Sequence, residues 1–272
     1  MLTLVPTPIG NLGDITFRAL EALKECEVLL CEDTRVAKKL LTLLSQRYSI
    51  DFGQKRFVAL HEHNQKEFLE RIDPSFFDRA VVYMSDAGMP GISDPGAMLV
   101  RYAQERGIEY DVLPGPSAAI TAYAASGFLE TDFCFFGFLP PKEQARLQTL
   151  GQILAHSSNT IFYEAPHRLL KTLQAIVQLD PKRILFLAKE LTKVHQKYYK
   201  GEAQELLERL QKEPIKGEWV VVVQKGEGRK ASVELGIEEL MGLPLPKKEL
   251  AKLLSKADGR PVKEWYELLT KD

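Results

Sequence analysis

A regular alternation of short apolar runs with helix-period segments, sustained through the first half, most constrains what this chain can fold into. Leu2–Val5 leads into Thr16–Cys26, where Phe17, Leu20 and Leu23 recur at helical spacing behind Asp14 near the cap. Val28–Cys31 precedes Val36–Leu44, and Phe57–Leu60 precedes Asn64–Ile72. Val81–Met84 precedes Ala97–Arg106, and Tyr110–Leu113 precedes Ala118–Ser126. Strands alternating with helices predict a parallel, doubly wound sheet.

The second half is less regular. Candidate strands are Phe133–Phe136, Thr160–Tyr163, Ile184–Ala188, Lys197–Lys200 and Trp219–Gln224, with helices at Lys142–His156, Pro166–Leu179 and Ala203–Lys212. Strands following one another with fewer crossovers predict a mixed sheet, hence a second α/β domain. The glycine-containing polar stretch KGEGRKAS reads as a linker. Short helices at Val233–Met241, Lys247–Lys256 and Pro261–Thr270 end the chain. The expected organisation is an N-terminal α/β domain over 1–115, a second α/β domain over 116–226 and a small helical tail over 233–272.

With 272 residues, 45% of them hydrophobic, the chain can bury a sizeable core. Its net charge of −1 argues against a globally basic nucleic-acid binder and leaves that role to local patches. The start, MLTLVPTPIGN, lacks the basic and long apolar regions of a secretory signal, and no apolar run is long enough to span a bilayer. Cys26, Cys31 and Cys134 lack C-x-x-C spacing. They read as buried thiols of a reducing cytoplasm, the expected location.

In a parallel doubly wound sheet, ligands bind outside the carboxyl ends of the strands. The unusual stretches PTPIGNLGD, EDTR, HEHN, SDAGMPGISDPG and PGPSA each follow an expected strand, so all five are placed on one edge. Each alone is explained as a turn with capping residues; together they predict a cleft. G-x-x-x-x-G-K-[ST], G-x-G-x-x-G and G-x-S-x-G are all absent, which disfavours P-loop, dinucleotide and serine-hydrolase sites. His61 and His63 of HEHN lack a third ligand at metal-site spacing, so no metal is expected. Proline and glycine make these loops stiff and let backbone approach a ligand closely. A flat, modestly charged ligand such as adenosine with a short amino-acid tail suits them better than a polyphosphate.

VPTPIGNLGDIT, EDTR, SDAGMPGISDPG, LPGPSA, GFLPPK, FYEAPHRL, KELTK and KGEWVVVV follow one another in this order across residues 5–223. Singly they are short, but as an ordered set they are specific. Together they resemble the ribosomal RNA small subunit methyltransferase I family, cytidine 2′-O-methyltransferases of the tetrapyrrole methylase superfamily. The resemblance implies two α/β domains with S-adenosylmethionine between them, a small helical tail, a homodimer, and small-subunit (16S) ribosomal RNA as substrate. Three places depart from the family pattern: Met89 in place of a common threonine, Lys189 in place of arginine, and His195–Gln196 where an acidic residue often stands.

Carried over residue by residue, the implied cofactor site is Pro8 and Ile9, then Asp86, Gly88 and Met89, then Ser117 and Ala118. Tyr163, Glu164, Ala165, Ala188, Gly217, Glu218 and Trp219 close it from the second domain. On this reading Asp86 meets the charged amino-acid end, while Asp94 serves equally well as a turn former before Pro95. Methyl transfer to a ribose hydroxyl needs alignment and a place for the departing proton. Glu32, Asp33, Arg35, Lys189 and Glu190 are the catalytic candidates, Glu164 being a further acid; local ion pairs are the alternative account of each. Pro181–Lys200 carries a net charge of +5 with Tyr198 and Tyr199 inside it, which makes Lys193, Lys197 and Lys200 the substrate-side candidates. The tail, net +2 over Leu245–Asp272, reads equally as RNA-facing or as a solvated helix pair. The remaining alternatives are a tetrapyrrole or other small-molecule methylase on the same fold and a non-catalytic ribosome-assembly module.

Overall fold

The computed structural model describes residues 1–226 and 236–270. Most of the KGEGRKAS linker, the beginning of the Val233–Met241 helix and the last two residues lie outside the described residues. Two compact units divide the chain, Met1–Gly226 and Glu227–Asp272.

The first sheet consists of β1 (Leu2–Val5), β2 (Val28–Cys31), β3 (Arg56–Ala59), β4 (Val81–Met84) and β5 (Tyr110–Val112), in the order β3-β2-β4-β1-β5. Every pairing is parallel. The three inner strands are buried along their whole length, so their apolar runs are continuous rather than alternating. Helices α1 (Phe17–Glu25) and α2 (Thr34–Tyr48) cover one face, and α3 (Gln65–Arg71) and α4 (Ala97–Arg106) the other. Crossovers leave β1 and β4 towards opposite faces, which makes their carboxyl ends the switch point where a doubly wound sheet opens a crevice. There Thr7 and Gly88 exchange both backbone hydrogen bonds, each 3.0 Å, and staple the two loops together.

The second sheet is mixed. It comprises α5 (Ala118–Ser126), β6 (Phe133–Phe138), α6 (Glu143–Ala155), β7 (Asn159–Glu164), α7 (Pro166–Leu179), β8 (Ile184–Lys189), β9 (Lys197–Glu202), α8 (Ala203–Leu210) and β10 (Trp219–Val223). The strand order is β6-β7-β10-β8-β9, with β6 parallel to β7 and the other pairs antiparallel. β10, a run of valines after Trp219, is central and wholly buried, the place where β-branched side chains pack best. α6, α7 and α8 pack on one face, while α5 covers the other together with Ile9 from the loop after β1.

In the tail, α9 (Ile237–Met241), α10 (Lys247–Asp258) and α11 (Val262–Thr270) close around Leu250, Leu254 and Trp265. The Trp265 indole donates to Asp258 Oδ1 at 2.9 Å, and Gly259 ends α10 at φ +80°. These helices bear out the expected helical tail.

Several boundaries differ from the sequence expectation by one to four residues, and two of the differences have a visible cause. α2 starts at Thr34, because the Asp33 carboxylate accepts from the Arg35 amide (2.8 Å) and caps the first turn. β6 runs on to Phe138 through a register shift between Phe135 and Phe138, with Gly137 at φ +64°.

Candidate active site

The carboxyl ends of β1 and β4 and the facing strands of the second sheet enclose a cavity of about 370 Å³. Ile9, Gly88, Met89, Ser117 and Ala118 line it from the loops after β1, β4 and β5. Tyr163, Glu164, Ala165, Ala188, Glu218 and Trp219 line it from the second sheet. Three implied cofactor residues do not. Pro8 lies one residue outside the lining. Gly217, at φ +81°, leaves room for Glu190, whose Cδ would lie 2.6 Å from any Cβ there. Asp86 is exposed, and its Oδ1 accepts from the Asp33 amide at 3.3 Å.

Of the two aspartates in the SDAGMPGISDPG loop, Asp94 is the one that lines the cavity, together with Ile92 and Ser93. Among the described residues, no lysine, arginine or histidine lines the space. Two of its three carboxylates are neutralised. Arg168 Nε lies 3.1 Å from the wholly buried Glu164 side chain, whose Oε2 also accepts from the Thr172 hydroxyl at 2.6 Å. Lys193 Nζ lies 3.0 Å from Glu218. Asp94 has no ion-pair partner among the described residues, and burial pushes its carboxyl up.

A second acidic group sits beside it at the end of β2. The Asp86 amide donates to Glu32 Oε1 at 3.2 Å, so the EDTR and SDAG loops hold each other. Burial, with Asp94 and Asp86 nearby, raises the Glu32 carboxyl to about 7 against the pull of that amide. The buried Tyr83 phenol has the same three acids as charged neighbours and no hydrogen-bond partner among the described residues.

The other candidates, Lys197 apart, are held in local contacts. Arg35 pairs with Asp33 at 2.6 Å and brings that carboxyl down to about 2. Glu190, at φ +52°, accepts from the Glu218 amide (2.8 Å) and from Lys193 Nζ (3.1 Å), and the amide holds its pKa down. Lys189 Nζ stands 5.5 Å from the Trp219 ring centre. Lys200 donates to the Ser126 carbonyl at 2.8 Å. Lys197 is exposed on the edge strand β9 and has no ion pair among the described residues. His61 and Asn64 of HEHN form a turn closed by a 2.8 Å bond from the His61 amide to Asn64 Oδ1.

Sequence reasoning left Asp94 undecided and took no account of Arg168. Arg168 had a signal, being four residues after Glu164, one helical turn on. Asp94 had none, since both aspartates sit in one turn-rich loop and the fold alone decides which faces inward.

A parallel sheet and a mixed sheet around one such cavity make a two-domain α/β fold. The family profile described as Tetrapyrrole (Corrin/Porphyrin) Methylases matches residues 1–207. Two solved structures share the fold: the uroporphyrin-III-C-methyltransferase of Thermus thermophilus (TM-score 0.57, 18% identity, 82% of this chain and 94% of that one) and the methyltransferase CobJ (TM-score 0.58, 18% identity, 85% and 96%). In sequence, the chain is 48% identical to the ribosomal RNA small subunit methyltransferase I of Helicobacter pylori strain 26695, over 98% of this chain and 96% of that protein. It is 42% identical to the protein of the same name in Campylobacter fetus, over 99% of both. The chain belongs to the ribosomal RNA small subunit methyltransferase I family of tetrapyrrole methylases. Among the described residues no helix is long and apolar enough to cross a membrane.

Proposed function

We propose that this chain transfers a methyl group from S-adenosylmethionine to the ribose 2′-hydroxyl of a cytidine in small-subunit (16S) ribosomal RNA. The observation that carries the reading is the charge pattern of the cavity: apolar walls, no cationic side chain, and one carboxylate, Asp94, without a counter-charge among the described residues. Such a space suits a flat ligand that carries its own positive charge. Ile9, Tyr163, Ala188 and Trp219 would hold the adenosyl part, Gly88 and Ala165 would offer backbone groups, and Asp94 would face the cationic end.

S-adenosylmethionine, when bound, supplies a methyl already activated on sulfonium. The chain's own residues then align the acceptor and take its proton. Glu32 is our base. It is the carboxylate raised to about 7, whereas Asp33, Glu164 and Glu190 are each committed to a cation nearby. The hydroxyl proton passes to Glu32 as the new oxygen–carbon bond forms and the carbon–sulfur bond breaks, leaving a neutral thioether. Of the three substrate-side candidates, Lys197 is the exposed one that neither an ion pair nor a hydrogen bond engages among the described residues, which leaves it free to take a phosphate.

The names of the sequence relatives favour ribosomal RNA over a tetrapyrrole. The resemblance further implies a homodimer, checked by light scattering, and the free cysteines fit a cytoplasmic site of action. The test is a methyl-transfer assay offering assembled small subunits, naked ribosomal RNA and a precorrin-like tetrapyrrole. Labelling of the tetrapyrrole alone would overturn the reading.

A further inference from the structure

GFLPPK is a motif the chemistry above leaves unused. Its phenylalanine stands at the cavity rim: Phe138 lines the space and yet is 63% exposed. The β6 bulge puts it there, carrying the chain from Phe135, paired with Ile161, to Phe138, paired with Tyr163. Phe138 ends a short aromatic ladder. Phe135 lies 5.0 Å from Tyr163, and Tyr163 lies 5.3 Å from Phe138, both edge-on. The inner rings are partly buried, and only the last is largely open to water.

The backbone behind it is fixed by two guanidinium groups. Arg168 Nη2 donates to the Leu139 carbonyl (2.8 Å) and the Pro140 carbonyl (3.2 Å), while the buried Arg146 donates to the Pro141 carbonyl (3.3 Å). Arg168 is itself anchored by Glu164. Lys142 follows directly, exposed and without an ion pair among the described residues. A loop held through three successive carbonyls keeps its one exposed aromatic ring in place, and the ordering cost is met before any ligand arrives.

Resting on the functional reading above, we propose that Phe138 is a stacking platform for an unstacked base of the substrate RNA, with Lys142 contacting the neighbouring phosphate. An open aromatic face with an unpaired cation nearby in the chain, here four residues on, is a means of holding single-stranded nucleic acid without readout of base edges. A ribose hydroxyl brought to the cavity must come from a strand whose bases are unstacked locally, and the rim is where such a base would rest. Arg168 is then a positioning residue for the lip.

The test compares wild type, Phe138→Ala, Phe138→Trp and Lys142→Gln in the full chain. Three quantities are read: S-adenosylmethionine affinity by calorimetry, affinity for a fluorescent single-stranded cytidine-containing oligoribonucleotide, and KM for assembled small subunits. Phe138→Ala is expected to weaken RNA affinity about tenfold to a hundredfold, far more than it weakens cofactor affinity, with Phe138→Trp restoring RNA binding. Lys142→Gln is expected to lower the salt dependence of RNA binding by about one phosphate contact. The proposal is overturned if wild type does not bind the oligonucleotide, if Phe138→Ala weakens cofactor binding instead, or if it alters only the oligomeric state. Failure of the functional reading looks different: wild type would then transfer no methyl to small subunits at all.

Discussion

Asp86 donates its amide to Glu32 Oε1 at 3.2 Å and accepts the Asp33 amide on its own Oδ1 at 3.3 Å, locking the ends of β2 and β4 together. This pair of bonds holds Glu32 half-buried, with Asp94 and Asp86 as charged neighbours, which keeps its carboxyl protonatable near neutrality. The first expectation concerns that residue. The rate of methyl transfer should rise with pH through a single ionisation near about 7 and then level off. Glu32→Gln should remove this limb and lower kcat by about 10²–10⁴-fold; a variant with the wild-type pH profile would rule Glu32 out as base.

The same residue sets a stability dependence. Its folded pKa lies above the ordinary 4.5, so the folded state binds more protons than the unfolded between 4.5 and about 7. Stability should therefore fall as pH rises through that window. Glu32→Gln should flatten the trend and be the more stable protein at pH about 8, by on the order of 1–2 kcal/mol. Thermal melts of both proteins across the window give the comparison.

Gly88 carries the staple to Thr7 at φ +88°, and a Cβ there would lie 3.3 Å from Ile9 Cγ2. Gly88→Val should cost about 1–3 kcal/mol of strain and push Ile9 towards the cavity. Cofactor affinity should drop by two orders of magnitude or more, roughly the loss expected for a blocked pocket, while circular dichroism stays near wild type. Unchanged affinity in calorimetry would contradict this placement of the cofactor.

Glu164 and Arg168 form a buried pair with side-chain exposures of 0% and 17%. Glu164→Ala leaves the guanidinium without its partner, and about 3–5 kcal/mol of stability should be lost. Urea unfolding measures it. A loss below 1 kcal/mol, roughly that of a surface pair, would mean Arg168 finds other partners.

Gly10 touches the loop after β8: a Cβ there would come within 2.5 Å of Lys193 Cγ and 2.9 Å of the Leu191 carbonyl. Gly10→Ala should separate this loop from the β1 loop, whose Asn11 amide donates to Thr192 Oγ1 at 3.0 Å. We expect a destabilisation of about 1–3 kcal/mol and a raised KM for the cofactor, since Ile9 and Leu191 both line the cavity.

The first sheet was legible because β1, β2 and β4 are buried on both faces and so appear as unbroken apolar runs. The convergence of their loops on one edge then followed from parallel pairing alone. The start of α2 was less legible, since a side-chain cap shifts a boundary that apolar period cannot place. The bulge at Gly137 was not legible at all: it depends on how β6 meets β7, and its product, an exposed Phe138, looks like an ordinary strand residue in sequence. Most of the cavity lining was among the residues that the family resemblance implied. That Asp94 rather than Asp86 lines the cavity depends on tertiary placement, and no local spacing encodes it.

The most direct measurement is nucleoside mass spectrometry of 16S ribosomal RNA after small subunits are incubated with this protein and isotopically labelled S-adenosylmethionine. The expected result is label in 2′-O-methylcytidine, lost with Glu32→Gln and absent without the protein. Label on a base carbon or nitrogen, or none in RNA while a tetrapyrrole is methylated, would contradict the assignment of the site.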